Sequence, residues 1–223
     1  MNIREMYSIL TQMPLLQGLN GLDLARMEER LNIRIIRIDA SVTPFIQQGD
    51  ICNELVFLTQ GTLTKETISP DGRYITTEGI ETPAVIEPEQ LYGLTCKYTS
   101  SYSPKTSCQF FKVKKANVNS HLMHLEIFRI TYMNMLSALI HKSKEQNTYR
   151  YGQDAREKLT TFLRSLFQYT DGEKKIQVKM TDIAEYIGET RLTVSGILND
   201  MSKEGLLQLK RMGIIIPDIK SLR

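Results

Sequence analysis

The residue types best suited to bind another molecule are concentrated near the C-terminus. Arg191 carries a planar guanidinium that can donate two parallel hydrogen bonds to paired acceptors, and Leu192 beside it offers an apolar side chain. Ser195 follows one helical turn later, and Lys210 and Arg211 add two cations in a glycine-containing turn. Small donors and cations in this arrangement suit a polyanion whose edges carry acceptors.

Two short helices joined by a tight turn must position these residues. Thr181 is placed to cap a helix over residues 182–187, and Gly188 ends that helix. Thr190 is placed to cap the next helix, over residues 191–203. The second helix would present its cationic and polar residues on its exposed first turn.

The apolar and small residues of this region follow the spacing of a helix-turn-helix. Ala184, Gly188, Val194 and Ile197 are separated by 4, 6 and 3 positions. They supply a small residue where two helices cross, a turn residue, and two anchors for the second helix. A two-stranded wing with a basic tip is predicted over 206–216. The pattern predicts a winged helix that lays its second helix in the DNA major groove; the alternative is a helical hairpin that only packs.

Composition restricts the classes that remain. The chain has 223 residues, 41% hydrophobic and 24% charged, with 13 Gly and 7 Pro, which is typical of a two-domain globular protein and excludes disordered and collagen-like classes. No apolar run reaches the roughly 20 residues of a membrane span, so we expect a cytoplasmic protein. The net charges of residues 1–115, 116–151 and 152–223 are −1, +2 and +2. Charges this small do not indicate nucleic-acid binding without the pattern above.

Metal, haem and redox chemistry have weak support in the sequence. Cys52, Cys96 and Cys108 are odd in number and contain no Cys-x-x-Cys pair, so neither a disulfide framework nor a zinc or iron–sulfur site of standard spacing is predicted. Cys96, beside Lys97, is a candidate redox-active thiol. The three histidines lie on or beside one predicted helix without a ligand motif. We predict no cofactor, and since enzyme motifs such as Gly-x-Ser-x-Gly are missing, no enzyme activity.

The N-terminal half changes from a helical period to a period of two. Apolar spacings of three and four on either side of Pro14 predict two short helices. From Ile33 apolar and polar residues alternate, and turn residues recur about every ten positions, which predicts an antiparallel sandwich or barrel. The predicted strands are 33–38, 42–46, 55–58, 63–68, 74–80 and 107–113, with a long loop over 83–105.

A long helix is predicted over residues 116–151, where no glycine occurs. Its apolar residues cover two neighbouring arcs, so it must bury both. One arc would cover the sheet and the other would meet a second copy of the chain; the alternative is that both pack within one chain. The neighbouring arc is Ile127, Ile130, Met133, Leu136 and Ile140. The residues predicted for the dimerisation helix are Phe128, Tyr132, Met135 and Leu139.

In this order the pieces resemble the Crp/Fnr superfamily of bacterial transcription regulators. Besides the helix-turn-helix, the resemblance rests on Phe45-Ile46-Gln47-Gln48-Gly49-Asp50, Pro70-Asp71-Gly72-Arg73 and Lys203-Glu204-Gly205-Leu206-Leu207. It implies an α+β fold with an N-terminal antiparallel β-roll of the jelly-roll, cyclic-nucleotide-binding type (1–115), a long dimerisation helix (116–151) and a C-terminal winged helix-turn-helix (152–223). It also implies a homodimer on pseudo-palindromic double-stranded DNA, with RNA polymerase and a small-molecule effector as candidate partners.

The resemblance fails where the family holds a cyclic nucleotide. Its Phe-Gly-Glu stretch reads Tyr92-Gly93-Leu94 here, and no arginine occurs between Arg73 and Arg129 to hold a cyclic phosphate. We therefore predict an effector other than cyclic AMP; an apolar filling of the roll around Leu94 would instead leave a constitutive DNA binder. The first fifty residues hold no cysteine, which excludes the family's N-terminal iron–sulfur cluster. The candidate effector-pocket residues are Tyr92, Gly93, Leu94 and Lys105.

The second helix of the winged helix departs from the family as well. Many members read Arg-Glu-Thr-Val-Ser-Arg where this chain has Arg191-Leu192-Thr193-Val194-Ser195-Gly196, so we expect a different operator. Base reading is assigned to Arg191, Leu192 and Ser195. Contacts to the DNA backbone are assigned to Thr181, Thr190, Thr193, Asn199, Lys210 and Arg211. The alternative function is a small-molecule sensor or protein-interaction module that does not bind DNA specifically, and salt dependence of binding would separate the two.

Overall fold

The computed structural model describes residues 3–31, 33–146 and 154–222, which divide into two compact units. Unit 1 contains residues 3–64 and 80–139, and unit 2 contains residues 65–79 and 140–222. The helices are α1 (Ile3–Gln12), α2 (Gly21–Leu31), α3 (Lys115–Ser120), α4 (Glu126–Gln146), α5 (Ala155–Ser165), α6 (Met180–Ile187) and α7 (Arg191–Lys203). The strands are β1 (Ile36–Ile38), β2 (Glu54–Gln60), β3 (Thr62–Ile68), β4 (Tyr74–Glu81), β5 (Ala84–Ile86), β6 (Ser101–Pro104), β7 (Cys108–Lys114), β8 (Lys174–Val178), β9 (Gln208–Lys210) and β10 (Gly213–Ile216). Among the described residues, no helix is both long and apolar enough to cross a membrane.

Unit 1 is built on an antiparallel sheet with strand order β1-β7-β2-β5. Its central pair, β2 and β7, is rich in the apolar and aromatic residues that favour strands. Phe57 pairs in register with Phe111, and the two rings stack with their centroids 4.5 Å apart. Leu10 of α1 and Leu24 of α2 are buried in the same core. The predicted α+β fold, with two N-terminal helices and antiparallel strands before a C-terminal helix-turn-helix, is confirmed.

Two predictions of local structure in this region are wrong. Residues 42–46 contribute only an isolated bridge from Ile46 to Tyr102, since Pro44 has no N–H to donate to a strand ladder. Residues 83–105, predicted as a loop, contain β5, a 3-10 turn and β6. The prolines that favoured a loop lie where such elements tolerate them, as Pro88 does at the start of the 3-10 turn.

The helix predicted over residues 116–151 is interrupted. α3 and α4 are separated by residues 121–125, which include a short 3-10 turn. The interruption lets Leu122 enter the core of unit 1, where it is buried. Residues 147–151 lie outside the described residues.

The two apolar arcs of α4 have different surroundings. Phe128 and Tyr132 are buried in the core of unit 1, and the Tyr132 hydroxyl donates to the Pro88 carbonyl at 2.5 Å. Met135 and Leu139 are half-buried. Phe128 and Tyr132 are therefore closed to a second chain, which corrects their assignment as dimerisation residues. Spacing alone could not tell which arc covers the sheet. The exposed arc is Ile127, Ile130, Met133 and Ile140.

Unit 2 is a winged helix whose sheet is extended by a hairpin from earlier in the chain. β4 pairs antiparallel with β8, β8 with β10, and β10 with β9. Residues of α5, α6 and α7 form one buried cluster together with apolar residues of β8 and β10. Tyr74 of β4 joins that cluster through edge contacts with the rings of Phe162 and Tyr186.

A buried carboxylate holds the hairpin of residues 65–79 in unit 2. Glu78 is 4% exposed and accepts hydrogen bonds from Lys65 Nζ at 3.1 Å and Lys174 Nζ at 3.3 Å. It also accepts from the backbone N–H groups of Gln168 and Tyr169. Buried charges need partners of this kind. The predicted domain division assigns this hairpin to the N-terminal domain, and that division stays a prediction.

Candidate nucleic-acid interface

The turn between α6 and α7 is built as the sequence predicts. Gly188 ends α6 in the left-handed conformation, with φ of 70°, which L side chains rarely adopt. The N–H of Glu189 bonds back to the Ala184 carbonyl at 2.9 Å. Thr190 caps α7, because its hydroxyl oxygen accepts from the N–H of Thr193 at 3.1 Å. The predicted roles of Gly188 and Thr190 are confirmed, and together they fix where α7 starts.

Thr181 does not cap α6, which corrects the prediction. The cap position is Lys179, whose side chain makes no capping bond, and Thr181 is the second residue of the helix. Both side chains are exposed at the first turn. A hydroxyl and an ammonium beside helical N–H groups suit a phosphate. Lys179 was missed by sequence reasoning, although a lysine directly before a predicted helix was a visible signal.

α7 buries one side and exposes the other. Val194, Leu198 and Met201 are each 0% exposed in the core of unit 2. On the opposite side, Leu192 is 83% exposed and Asn199 is exposed too. Leu192 therefore adds nothing to the core and is free to contact a partner.

Arg191 and Ser195 lie beside Leu192, one helical turn apart. Arg191 is exposed, and its guanidinium has no ion pair with any described residue. Ser195 is half-buried. The structure thus brings the three predicted base-reading residues to one side of α7. Thr193 lies toward the capping residue instead, with its hydroxyl 2.8 Å from the hydroxyl of Thr190.

Gly196 also lies on the exposed side of α7, and sequence reasoning missed it. A Cβ at this position would meet nothing within 4 Å, so the fold does not require a glycine. Glycine inside a helix costs about 1 kcal/mol relative to alanine. Its presence fits a close approach of the helix backbone to a partner. The signal was a glycine within an otherwise strong helix pattern.

The carboxylates at the C-terminal end of α7 are paired with cations. Asp200 accepts from Lys203 Nζ at 2.9 Å, and Glu204 accepts two hydrogen bonds from the Arg156 guanidinium. The donated hydrogen bonds lower the pKa of the Asp200 and Glu204 carboxyl groups. Their charge is thereby neutralised close to the exposed side of α7, which weakens repulsion of a polyanion.

The wing presents its basic tip to solvent. Gly213 pairs with Lys210, so Arg211 and Met212 form the tip, where Met212 has a φ of 56°. Lys210 and Arg211 are exposed, and neither has an ion pair within the described part of the chain. Cations in this state can neutralise phosphates without first breaking an internal pair.

The candidate effector residues have separate surroundings. Tyr92 is half-buried, with Lys115 Nζ 4.8 Å from its ring centroid. Leu94 is fully exposed on a short bend that faces solvent, which argues against the alternative of an apolar filling of the roll around it. Lys105 lies in the turn after β6, where its N–H bonds to the Thr62 carbonyl. The contacts described for Lys105 and for residues 92–95 do not bring them together into one site.

Sequence reasoning also missed a buried carboxylate in unit 1. Glu87 is 3% exposed, and its carboxylate accepts from the Thr99 N–H at 2.6 Å and from the Tyr102 hydroxyl at 2.8 Å. These hydrogen bonds satisfy the charge within the chain. A carboxylate held in this way repels a second anion placed close by. No sequence pattern indicated this site, because Glu87 lies in the region predicted as a loop.

Comparison with protein families matches one part of the chain. The Crp-like helix-turn-helix domain matches residues 157–223. No curated protein matches the chain. Residues 157–223, which include α6, α7 and the wing, are therefore a Crp-like helix-turn-helix domain.

Comparison with solved structures covers nearly the whole chain. The chain is similar to a protein from Eubacterium rectale described as a transcriptional regulator of the crp/fnr family, with 15% identity, a TM-score of 0.54, and coverage of 95% of this chain and 97% of that one. It is similar to the sensor domain of the transcriptional regulator DNR from Pseudomonas aeruginosa, with 15% identity, a TM-score of 0.53, and coverage of 62% and 91%. It is also similar to the c-di-GMP responsive global regulator CLP from Xanthomonas campestris, with 14% identity, a TM-score of 0.50, and coverage of 86% and 99%. At these identities the likeness shows the fold, and the chain has the fold of Crp/Fnr regulators.

Proposed function

We propose that this chain, which carries a Crp-like helix-turn-helix domain on the fold of Crp/Fnr regulators, is a transcription regulator that reads a specific DNA operator. The observation that carries the proposal is the exposed side of α7. Arg191 has no ion pair in the described residues, Leu192 is 83% exposed, and Gly196 leaves the backbone open to close approach. None of the three serves the core of unit 2. A helix with such a face reads base edges in the major groove, where each base pair shows its own pattern.

Two groups of residues divide the work at the DNA. Arg191 donates to guanine O6 and N7, and Leu192 contacts a thymine methyl. The Ser195 hydroxyl donates to an acceptor on the edge of a neighbouring base pair. Thr190 acts mainly as the cap that places Arg191, because its hydroxyl oxygen already accepts from α7. Contacts to phosphate and sugar come from Thr181, Thr193, Asn199, Lys210 and Arg211, with Lys179 added.

The proposal includes a homodimer formed through the exposed arc of α4. Ile127, Ile130, Met133 and Ile140 are between 41% and 58% exposed on one helix. Apolar residues along a helix in this number favour a seam with a second helix, and a copy of the same helix is the simplest partner. A two-fold dimer places its two reading helices on half-sites about 34 Å apart, which predicts a pseudo-palindromic operator.

In this proposal the effector is not cyclic AMP. Residues 74–128 contain no arginine, so no guanidinium fork can hold a cyclic phosphate there. The buried carboxylate of Glu87 adds repulsion inside unit 1. Both features disfavour a cyclic phosphate monoanion in the roll.

The test is selection of bound sequences from a random duplex library with the purified chain, without ligand and at two salt concentrations. We expect enrichment of a two-fold symmetric motif, and an affinity that falls steeply with salt because several phosphates are contacted. An affinity that is the same at both salt concentrations would instead indicate an apolar protein-interaction module. A library without any enriched motif at either salt concentration contradicts ligand-independent operator reading.

A further inference from the structure

A pocket of about 190 Å³ in unit 1 lies between α2 and the residues that separate α3 from α4. Four nitrogen-bearing side chains line it: Arg26 and Arg30 from α2, and His121 and His124 from the opposite wall. The proposed DNA contacts use none of them. The pocket is smaller than the roughly 300 Å³ at which drug-sized ligand sites begin, so it suits a compact ligand.

The guanidinium groups of this pocket are unexplained by the fold. Arg26 and Arg30 are four residues apart and therefore neighbours on α2, and both are exposed. Like charges at this spacing destabilise a helix. Neither arginine has an ion pair among the residues that the structure describes. Two adjacent guanidinium forks provide parallel donors that fit a tetrahedral oxyanion better than lysines would.

The opposite wall holds an unsatisfied nitrogen. His121 Nδ1 is buried, and no described residue forms a hydrogen bond with it. This nitrogen is closed to solvent, so a ligand reaches it only when the imidazole turns toward the pocket, and a turn that gives the nitrogen a partner is favourable. His124, three residues later, lines the same pocket and is exposed. The two imidazoles lie on the wall opposite the arginine pair, and the four side chains together suit a ligand rich in oxygen.

Asp23 is the only carboxylate among the described residues that line the pocket. Its backbone N–H bonds to the Asn20 side chain at the start of α2, and its carboxylate has no ion pair with Arg26 or Arg30. A carboxylate beside an anion site repels the anion but accepts from a hydroxyl next to it. We infer that this pocket binds the phosphate group of a small phosphate monoester that also carries a hydroxyl group. The guanidinium groups hold the phosphate, His121 and His124 lie beside it, and Asp23 accepts from the hydroxyl.

The position of the pocket gives such a ligand a structural consequence. The wall that carries His121 and His124 leads directly into α4, whose exposed arc is the proposed dimer seam. A ligand there ties α2 to the start of that helix. The binding claim itself does not rest on the proposed DNA function.

The first experiment uses the three histidines of the chain as reporters in the unmodified protein. Imidazole NMR signals are followed during titration with glycerol 3-phosphate in a phosphate-free buffer, with glycerol and sodium chloride as matched titrations. We expect glycerol 3-phosphate to move the signals of His121 and His124 saturably. His141, exposed on α4 and not part of the pocket lining, should stay in place. Equal movement of all three signals, equal movement with sodium chloride, or no movement at all overturns the proposal.

The second experiment removes one charge at a time and measures affinity by titration calorimetry. Arg26→Gln and Arg30→Gln should each weaken glycerol 3-phosphate binding by roughly tenfold or more, because each removes a charge-assisted hydrogen bond. Arg34→Gln removes an exposed arginine that does not line the pocket, and should leave the affinity unchanged. Asp23→Asn should bring the affinity for glycerol 3-phosphate closer to that for inorganic phosphate. Equal losses in Arg34→Gln and the pocket variants would show attraction by net charge alone and would overturn the site. DNA binding is not measured in either experiment, so failure here leaves the operator proposal untouched.

Discussion

Unit 2 uses charged side chains in two opposite ways. In the hairpin cluster, the side chains of Lys65, Glu78 and Lys174 are between 0% and 10% exposed, and both lysines donate to the Glu78 carboxylate. In the helix-turn-helix and wing, Arg191 and Arg211 are exposed and have no ion pair within the described residues. The same chemical groups hold the fold together in one region and are left for a partner in the other.

The difference shows what burial does to a charge. A buried ion pair adds little net stability compared with apolar residues, but removing one partner leaves the others without compensation. An exposed cation contributes almost nothing to folding, yet it can displace counterions from a phosphate when DNA arrives. Mutations in the two regions should therefore separate stability from binding.

The largest effect is expected at the carboxylate of the buried cluster. Glu78→Gln leaves the ammonium groups of Lys65 and Lys174 buried without a counter-charge, and should lower the free energy of unfolding by about 3–5 kcal/mol. Urea denaturation at neutral pH measures it. Glu66→Gln, an exposed carboxylate on the same hairpin, is the matched control and should stay within about 0.5 kcal/mol of the wild type. A loss for Glu78→Gln no larger than that of the control would show that the cluster is not a desolvated unit.

The opposite result is expected at the base-reading arginine. Arg191→Ala should leave stability within about 0.5 kcal/mol, because Arg191 is exposed and lies outside the buried cluster of unit 2 in the described residues. It should cost about 1–3 kcal/mol of binding at one base position. Competition with operators substituted at each position measures the loss. Arg211→Ala at the wing is the control, because losing a phosphate contact should weaken all operators alike. If Arg191→Ala weakens all operators equally, Arg191 contacts phosphate rather than a base.

At Gly196, adding one methyl group should change stability and operator affinity in opposite directions. Gly196→Ala should raise the free energy of unfolding by about 1 kcal/mol, since the added Cβ meets nothing within 4 Å and alanine is the better helix former. Operator affinity should fall, because the methyl group separates α7 from the bases. Gly188→Ala is the control: its φ of +70° makes the substitution strained, so stability should fall instead. Unchanged operator affinity in Gly196→Ala would remove Gly196 from the interface.

The sequence predicts the helix-turn-helix well because its determinants are local. The left-handed position at Gly188 and the cap at Thr190 depend on residues within three or four positions, so their types reveal them. The side that α7 exposes follows from the helical period of Val194, Leu198 and Met201. The bases that these side chains contact depend on the sequence of the operator and not on this chain alone, so the base assignments stay predictions.

The hairpin cluster could not be predicted because its partners are distant in sequence. Glu78 meets Lys174 across 96 residues, and no local pattern encodes that register. One signal was present: Lys174 is in phase with Ile176 and Val178 on the buried side of β8, where a lysine requires a counter-charge. The same limitation explains the wrong arc on α4. The period gives two apolar arcs, but the shape of the sheet decides which one is covered.

The tip of the hairpin sharpens the comparison because its charges are exposed and also paired. Asp71 accepts hydrogen bonds from the Ser69 hydroxyl at 2.6 Å and from the Tyr186 hydroxyl of α6, and these lower the pKa of Asp71 to about 2. A carboxyl whose pKa is lower when folded stabilises the fold above its unfolded pKa and loses that contribution as pH falls through the folded value. Asp71→Asn should therefore unfold at a slightly lower temperature than the wild type above about pH 5, and the gap should close between about pH 4 and pH 2.

Thermal unfolding of both proteins from pH 2 to pH 7 checks this smallest effect, with Glu66→Gln as the control for an exposed carboxylate on the same hairpin. The difference in unfolding temperature between Asp71→Asn and wild type should be well below that for Glu78→Gln, because solvent screens the charge of Asp71 but not the buried charge of Glu78. A gap that persists at pH 2 would mean that the asparagine itself disturbs the tip. Equal unfolding temperatures at pH 7 would mean that the contact of Asp71 with Tyr186 contributes nothing to stability. The buried cluster of Glu78 with Lys65 and Lys174 would then be what attaches the hairpin to the winged helix.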